Sequence, residues 1–270
     1  MRVRIVKQKQ NYINSVFKTF EILLAFTSEK QELSLTEIVK ETKLNKTTVY
    51  RFLRSLIAIG IIHKNQNNNK YQLGTTLYEL GNRVNIKNNL VDIAHPYLVK
   101  LVRDIDITVH FAALDGGEVL YLDKIKSSKT FQMNTYIGAR APAYCTALGK
   151  SMLAYLDEEM LEHHFGSIKF QKLTPNTIDN STKLLKQLKK IRKNGFAIDK
   201  EEFEEGLHCL AVPVIDPNNY PIASLSISGS PFEISEKNIQ SLQKKLTETA
   251  NKIAKELELR KFTKSNLNNE

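Results

Sequence analysis

Residues 33–62, LSLTEIVKETKLNKTTVYRFLRSLIAIGII, constrain the fold more tightly than any other part of the chain. Val49, Phe52, Leu53, Leu56 and Ile57 recur at spacings of three and four, the period of a helix with one buried stripe. Asn45 stands where that helix needs an N-cap. Ahead of it, Leu35 leads into a shorter helix with Thr36 as the expected cap and Ile38 and Val39 facing inward, and this pattern fails near Lys43 and Leu44. Two helices joined by a tight turn leave Lys46, Thr47, Thr48, Tyr50, Arg51 and Arg54 on the outward face of the second. Those side chains donate hydrogen bonds and carry positive charge, which suits a helix seated in the major groove of DNA. Arg51 can pair with guanine O6 and N7, the threonines can contact phosphate or a thymine methyl, and Lys46 suits phosphate.

The flanks extend this pattern. Val16, Phe17, Phe20, Ile22, Leu23, Leu24 and Phe26 predict a preceding helix over 14–26 with a broad apolar face. After Gly60, residues 61–64 and 70–73 predict two short strands around the polar tip Asn65-Gln66-Asn67-Asn68-Asn69. The result is a winged helix-turn-helix whose wing would lay Lys64, Lys70 and the asparagines along the DNA backbone or minor groove. Charge agrees. Residues 1–74 hold 13 Lys+Arg and 5 Asp+Glu, a balance of +8, which leaves +2 of the total +10 for all the rest. An excess placed in the first quarter of the chain is the footprint of a polyanion partner.

A length of 270 residues suits two domains. There is no run of eighteen apolar residues, and the start MRVRIVKQKQ lacks the apolar core of a secretion signal, so neither a membrane span nor export is expected. The expected location is the cytoplasm, with Cys145 and Cys209 as free thiols. Residues 75–89 resume helical periodicity, as a stiff linker helix and a candidate dimer surface. A further apolar helix over 90–102 is expected to break near His95-Pro96.

Beyond it the period changes to two. Strands are predicted at 108–114, 118–124, 130–136, 196–200, 209–215 and 222–228, with helices at 146–156, 157–164, 181–194 and 235–262. Asp115-Gly116-Gly117 is a strong hairpin turn. The class is α+β. The expected domains are 1–74, a linker at 75–89, a second domain at 90–262 and a frayed tail at 263–270.

Three enzyme-like signals carry little. Cys209 follows His208, but neighbours on a strand point to opposite faces, so that histidine cannot readily activate the thiol. Glu162-His163-His164 lacks metal-ligand spacing. Gly149-Lys150-Ser151 would need a glycine at position 144 to be a phosphate loop, and Tyr144 is there. The rival to a regulator is a metabolic enzyme with an appended helical domain, working through Cys209 and Asp199. No cofactor or metal ion is expected.

Three downstream segments sharpen the reading. They are Gly195-Phe-Ala-Ile-Asp199-Lys-Glu-Glu202 followed six residues later by Cys209-Leu-Ala-Val-Pro-Val-Ile-Asp216; Ile137-Gly-Ala-Arg140-Ala-Pro-Ala-Tyr-Cys-Thr146-Ala-Leu-Gly-Lys-Ser151; and Ser226-Ile-Ser228-Gly229. With KTTVYRFLRSLIAIGII at 46–62, the chain resembles the IclR family of bacterial transcriptional regulators over nearly its whole length. It departs from that pattern at Ile215, where an aromatic or His is usual, and at Ala147-Leu148, where smaller residues are common. The resemblance implies a GAF-like α/β effector-binding domain behind the winged helix, a homodimer or homotetramer, and double-stranded DNA with an inverted-repeat operator. It implies repression, and a small carboxylic acid bound at Ala147, Leu148, Asp199, Cys209, Ser226 and Ser228. The residues suit that role: Ser226 and Ser228, two apart on a strand, point one way, and backbone N–H groups at the start of the helix after Thr146 favour an anion. Asp199 would accept from a ligand hydroxyl, which points to a hydroxy- or keto-acid.

Overall fold

The structure, a computed structural model, describes residues 12–27, 29–83, 90–128 and 135–267. It divides into two compact units, Met1–Asn88 and Asn89–Glu270. Among the described residues no helix is long and apolar enough to cross a membrane.

The first unit runs α1 (Asn14–Leu23), β1 (Glu32–Leu33), α2 (Leu35–Thr42), α3 (Lys46–Ala58), β2 (Ile62–Lys64), β3 (Tyr71–Leu73) and α4 (Thr75–Asn82). Its core is small. Ile22, Ile38, Val49, Leu53, Leu56 and Ile62 are buried together with Phe26 and Tyr71. The cap of α2 is Ser34 rather than Thr36: Ser34 Oγ accepts from Glu37 N at 3.3 Å while Glu37 Oε2 accepts from Ser34 N at 2.7 Å. This reciprocal box satisfies two orphan donors where a Thr36 cap would satisfy one, so the helix starts two residues earlier. Asn45 caps α3 as expected, taking Thr48 N at 2.8 Å. Between the helices Lys43 closes the turn at φ 58.

The three strands form one antiparallel sheet in the order β1-β3-β2. With two residues, β1 carries too short a pattern to be seen in sequence. Gly74 is fixed by geometry, because a Cβ there would lie 2.1 Å from the Gly60 carbonyl oxygen. The apolar face of α1 is split: Ile22 is buried, while Ile13, Val16 and Phe20 are exposed. Helix α4 ends at Asn82, and residues 84–89 of the expected linker helix lie outside the described residues.

The second unit begins with α5 (Leu90–Ile105), which continues through Pro96 instead of breaking. Pro96 sits on the exposed side, where water can take the carbonyl left without a donor, while Ile93, Ala94, Leu98 and Leu101 anchor the opposite side. There follow β4 (Thr108–Asp115), β5 (Glu118–Ile125), β6 (Arg140–Pro142), a 3-10 turn (Ala143–Cys145), α6 (Ala147–Leu153), α7 (Glu158–Ser167) and α8 (Ser181–Asn194). The chain ends with β7 (Ala197–Lys200), β8 (His208–Ile215), β9 (Pro221–Gly229) and α9 (Ile239–Leu267). Most of the strand expected at 130–136 lies outside the described residues; Thr135 and Tyr136 are irregular, and β6 comes later. Helix α9 reaches Leu267, into the segment expected to be an irregular tail.

All six strands of this unit pair antiparallel in the order β6-β5-β4-β9-β8-β7. One face is aliphatic. Val109, Phe111, Leu210, Val212, Leu225 and Ile227 meet α5 and α9 there. The other face carries the small and polar side chains and is covered by α6, with α8 stacked beyond.

Candidate functional site

In the first unit Lys46, Thr47, Tyr50, Arg51 and Arg54 are exposed on α3, with Thr48 half-buried beside its cap. Val49, Leu53 and Leu56 hold the opposite side in the core, so the polar face is displayed rigidly. Among the described residues none of Lys46, Arg51 or Arg54 forms an ion pair, which leaves their charge available to a partner. The wing differs from expectation. Asn65 and Asn68 donate to Glu32 Oε1 and Oε2 at 3.2 and 2.9 Å, and their own carbonyls take Asn67 N and Lys70 N. These two asparagines therefore build the tip and tie it to β1, instead of reaching outward. Lys64 lies over the Tyr71 ring, 5.9 Å from its centroid, and Lys70 is half-buried next to it in sequence.

In the second unit the register gathers distant residues on the α6 side of the sheet. One row runs Thr108, Ser228, Cys209, Asp199 across β4, β9, β8 and β7; the next runs Lys124, His110, Ser226, Ala211, Ala197. Directly paired residues share a face. Cys209 Sγ and Ser228 Oγ are 3.1 Å apart, and Ser228 Oγ reaches His110 Nδ1 at 3.4 Å. Ala147 packs on Cys209 and Ala211, and Leu148 is buried with Tyr121 and Val119. All six residues expected from the sequence thus lie on or above this face. Among the described residues the Ser226 hydroxyl has no hydrogen-bond partner. Helix α6 is only seven residues long, so its dipole adds little to the anion preference expected there.

Below α6 lies an unpredicted charge cluster. Lys150, fully buried, forms an ion pair with Glu202 and donates to Ile198 O at 2.7 Å and Gln187 Oε1 at 3.0 Å. Burial, only partly opposed by Lys150, pushes Asp199 up to about 7, although its carboxylate accepts from Glu202 N at 2.7 Å. A carboxyl that holds its proton from 3.8 up to about 7 favours the folded state in acid, and that contribution is lost as pH rises through the window. Urea midpoints at either end of the window should therefore fall less for Asp199→Asn than for the wild type. Parallel profiles would place the proton elsewhere.

The enzyme-like reading of Cys209 meets two obstacles. Burial, followed by the charge of Asp199, holds its thiol well above the ordinary range, and the nucleophile would be the thiolate. The His208 ring instead contacts Ile234 O at 3.0 Å. Four residues of this face escaped sequence reading: His110, Tyr121, Lys150 and Glu202. The signal for two of them was a polar residue inside an otherwise apolar run, His110 in TVHFAAL and Lys150 in ALGKSML.

The geometry is that of a known family. A family model described as Bacterial transcriptional regulator IclR C-terminal matches residues 83–255, and one for the IclR helix-turn-helix domain matches 15–66. The chain belongs to the IclR family. Among its relatives, the HTH-type transcriptional regulator KdgR of Escherichia coli is 36% identical over 91% of this chain and 93% of that protein. The DNA-binding transcriptional repressor YiaJ of Escherichia coli is 28% identical over 93% of this chain and 90% of that protein. The crystal structure of the Thermotoga maritima IclR matches with a TM-score of 0.75 at 34% identity, covering 91% of this chain and 99% of that one. As an IclR-family transcriptional regulator, the chain carries a helix-turn-helix DNA-binding domain and the α/β domain in which this family binds effectors.

Proposed function

We propose that this IclR-family protein is a sequence-specific repressor, not an enzyme, that binds an inverted-repeat operator as a homodimer or homotetramer and is released or retained by a small organic acid. The observation that carries the reading is the face of α3: Lys46, Arg51 and Arg54 stand exposed without ion pairs among the described residues, on a helix locked by Val49, Leu53 and Leu56. Thr47, Thr48 and Tyr50 complete that face, and Lys64 and Lys70 on the wing are assigned to phosphates. Exposed Val16 and Phe20 on α1, with Ile13 just before it, favour self-association. The repressor role follows the relative YiaJ.

The acid is assigned to Ala147, Leu148, Asp199, Cys209, Ser226 and Ser228. The Ser226 hydroxyl has no partner among the described residues and can bond a ligand oxygen. Asp199, holding a proton near neutrality, can lie beside an acid without charge repulsion and accept or donate to a ligand hydroxyl. The test is a mobility-shift titration on DNA upstream of the gene, repeated with a panel of keto-, hydroxy- and aromatic acids. One acid should change the apparent Kd by roughly 5–150-fold, the range of ordinary allosteric coupling. A Kd untouched by every acid would remove the effector class from the proposal.

A further inference from the structure

The polar face contains a chain of hydrogen bonds whose direction is set from one end. Lys124 Nζ donates to Thr135 O at 2.7 Å and to Thr135 Oγ1 at 2.8 Å. An ammonium can only donate, so Thr135 Oγ1 is an acceptor in that contact. His110 Nε2 lies 2.8 Å from the same Oγ1. The His110 ring is fully buried, and burial followed by the Lys124 charge holds its pKa down to about 3, so it is neutral with one N–H. Two arrangements fit the heavy atoms. If Nε2 carries the proton, it donates to Thr135 Oγ1, and the threonine proton has no acceptor in this chain of contacts. If Nδ1 carries it, the ring N–H and both hydroxyl protons are used, and only the weak thiol donor of Cys209 is left over: Lys124 donates to Thr135, Thr135 to Nε2, Nδ1–H to Ser228 Oγ at 3.4 Å, and Ser228 O–H to Cys209 Sγ at 3.1 Å. In the second arrangement every bond dipole also points away from the ammonium, so successive bonds polarise one another favourably.

We propose that Lys124, acting through Thr135 and His110, commits the Ser228 hydroxyl to donate, and so tunes the site to a ligand presenting acceptor oxygens, a carboxylate or keto group. This rests on the effector reading above for the location of the ligand, but not for the relay. Ser228 already accepts from His110, and its proton faces only a sulfur, which is a weak acceptor that an incoming oxygen displaces. Ser226, opposite His110 in the register, adds a second hydroxyl with no partner among the described residues. A carboxylate spanning both would receive two donors. His110, Thr135 and Lys124 are then positioning residues that act through Ser228.

Two measurements on the full-length protein test this. Long-range proton–nitrogen correlation spectra of the wild type, with the His110 resonances assigned by their absence in His110→Asn, should report the Nδ1–H tautomer. The Lys124→Met spectrum should shift toward the Nε2–H form. An Nε2–H wild type, or a tautomer indifferent to Lys124→Met, overturns the relay. In the second arm, binding of pyruvate, lactate and benzoate as probe acids is measured by calorimetry. His110→Asn, whose amide can stand in for Nδ1–H, should retain acid affinity, whereas His110→Gln should weaken it roughly tenfold. Equal loss in both variants overturns the positioning role. A wild type that binds no acid strikes the effector reading instead, and the tautomer result then still decides the relay.

Discussion

Replacing Lys150 with methionine should destabilise the second unit by about 3–5 kcal/mol, the usual cost of removing one partner from a buried ion pair. Methionine fills nearly the same space, so the loss is electrostatic. Lys150 is wholly shielded from solvent, and its ammonium satisfies Glu202, the Ile198 carbonyl and Gln187. Without it Glu202 keeps a buried charge whose second oxygen, Oε2, already lacks a partner. Asp199 stands on the same side of the sheet, and its carboxyl, pushed up to about 7 by burial and in part by the Glu202 charge, supplies no compensating positive charge. Glu202 must then take up a proton or draw in water, and either opens the layer between α6 and the sheet. The second change identifies the cause: Lys150→Met with Glu202→Leu removes both charges and should recover most of the loss. Chemical denaturation of the three proteins measures this. A single variant as stable as the wild type would mean that the pair is solvated and not a buried bridge.

Gly149→Ala should cost about 1–3 kcal/mol or more, through backbone crowding. A Cβ at this position would sit 2.3 Å from both Cα and O of Ala143, closer than any real contact. The obstruction is backbone, so no side-chain rotation relieves it. Helix α6 must lift from the 3-10 turn before it, carrying Ala147 and Leu148 away from Cys209 and Tyr121. Thermal melts should show the loss of stability, and DNA binding at low temperature should survive while the response to an acid fades. Full response with an unshifted melt would mean the turn and helix can separate freely. Gly149 and Lys150 thus have clear roles in a motif that only superficially resembles a phosphate loop.

The helix-turn-helix was legible because its determinants are local. The three-and-four spacing of Val49, Leu53 and Leu56 defines α3, and Asn45 marks its start. Thr36 has a capping side chain, but the reciprocal pair Ser34 and Glu37 outcompetes it for the start of α2. Pro96 misled because its backbone penalty was visible, whereas the burial that outweighs it comes from α9 and the sheet, elements far along the chain. The asparagines at 65 and 68 read as DNA contacts because Glu32, their partner, lies more than thirty residues away.

The effector face shows the same division. Ser226 and Ser228 were visible as a two-residue spacing on a strand, and the family pattern supplied Asp199, Cys209 and the start of α6. His110 was missed because it joins them only through the pairing of β4 with β9, more than a hundred residues apart. No periodicity in one strand encodes which distant strand lies beside it.

Salt-dependent binding by fluorescence anisotropy shows whether α3 reads DNA. Full-length wild type and Arg51→Ala are titrated into upstream DNA and into a scrambled duplex over a range of salt concentrations. The wild type should prefer the upstream DNA, with log K falling linearly as log salt rises. Arg51→Ala should lose about 1–3 kcal/mol on the upstream DNA and little on the scrambled duplex, so that selectivity collapses. A wild type that binds both duplexes equally, or an Arg51→Ala protein with full affinity and selectivity, would contradict the assignment of α3 as the reading helix.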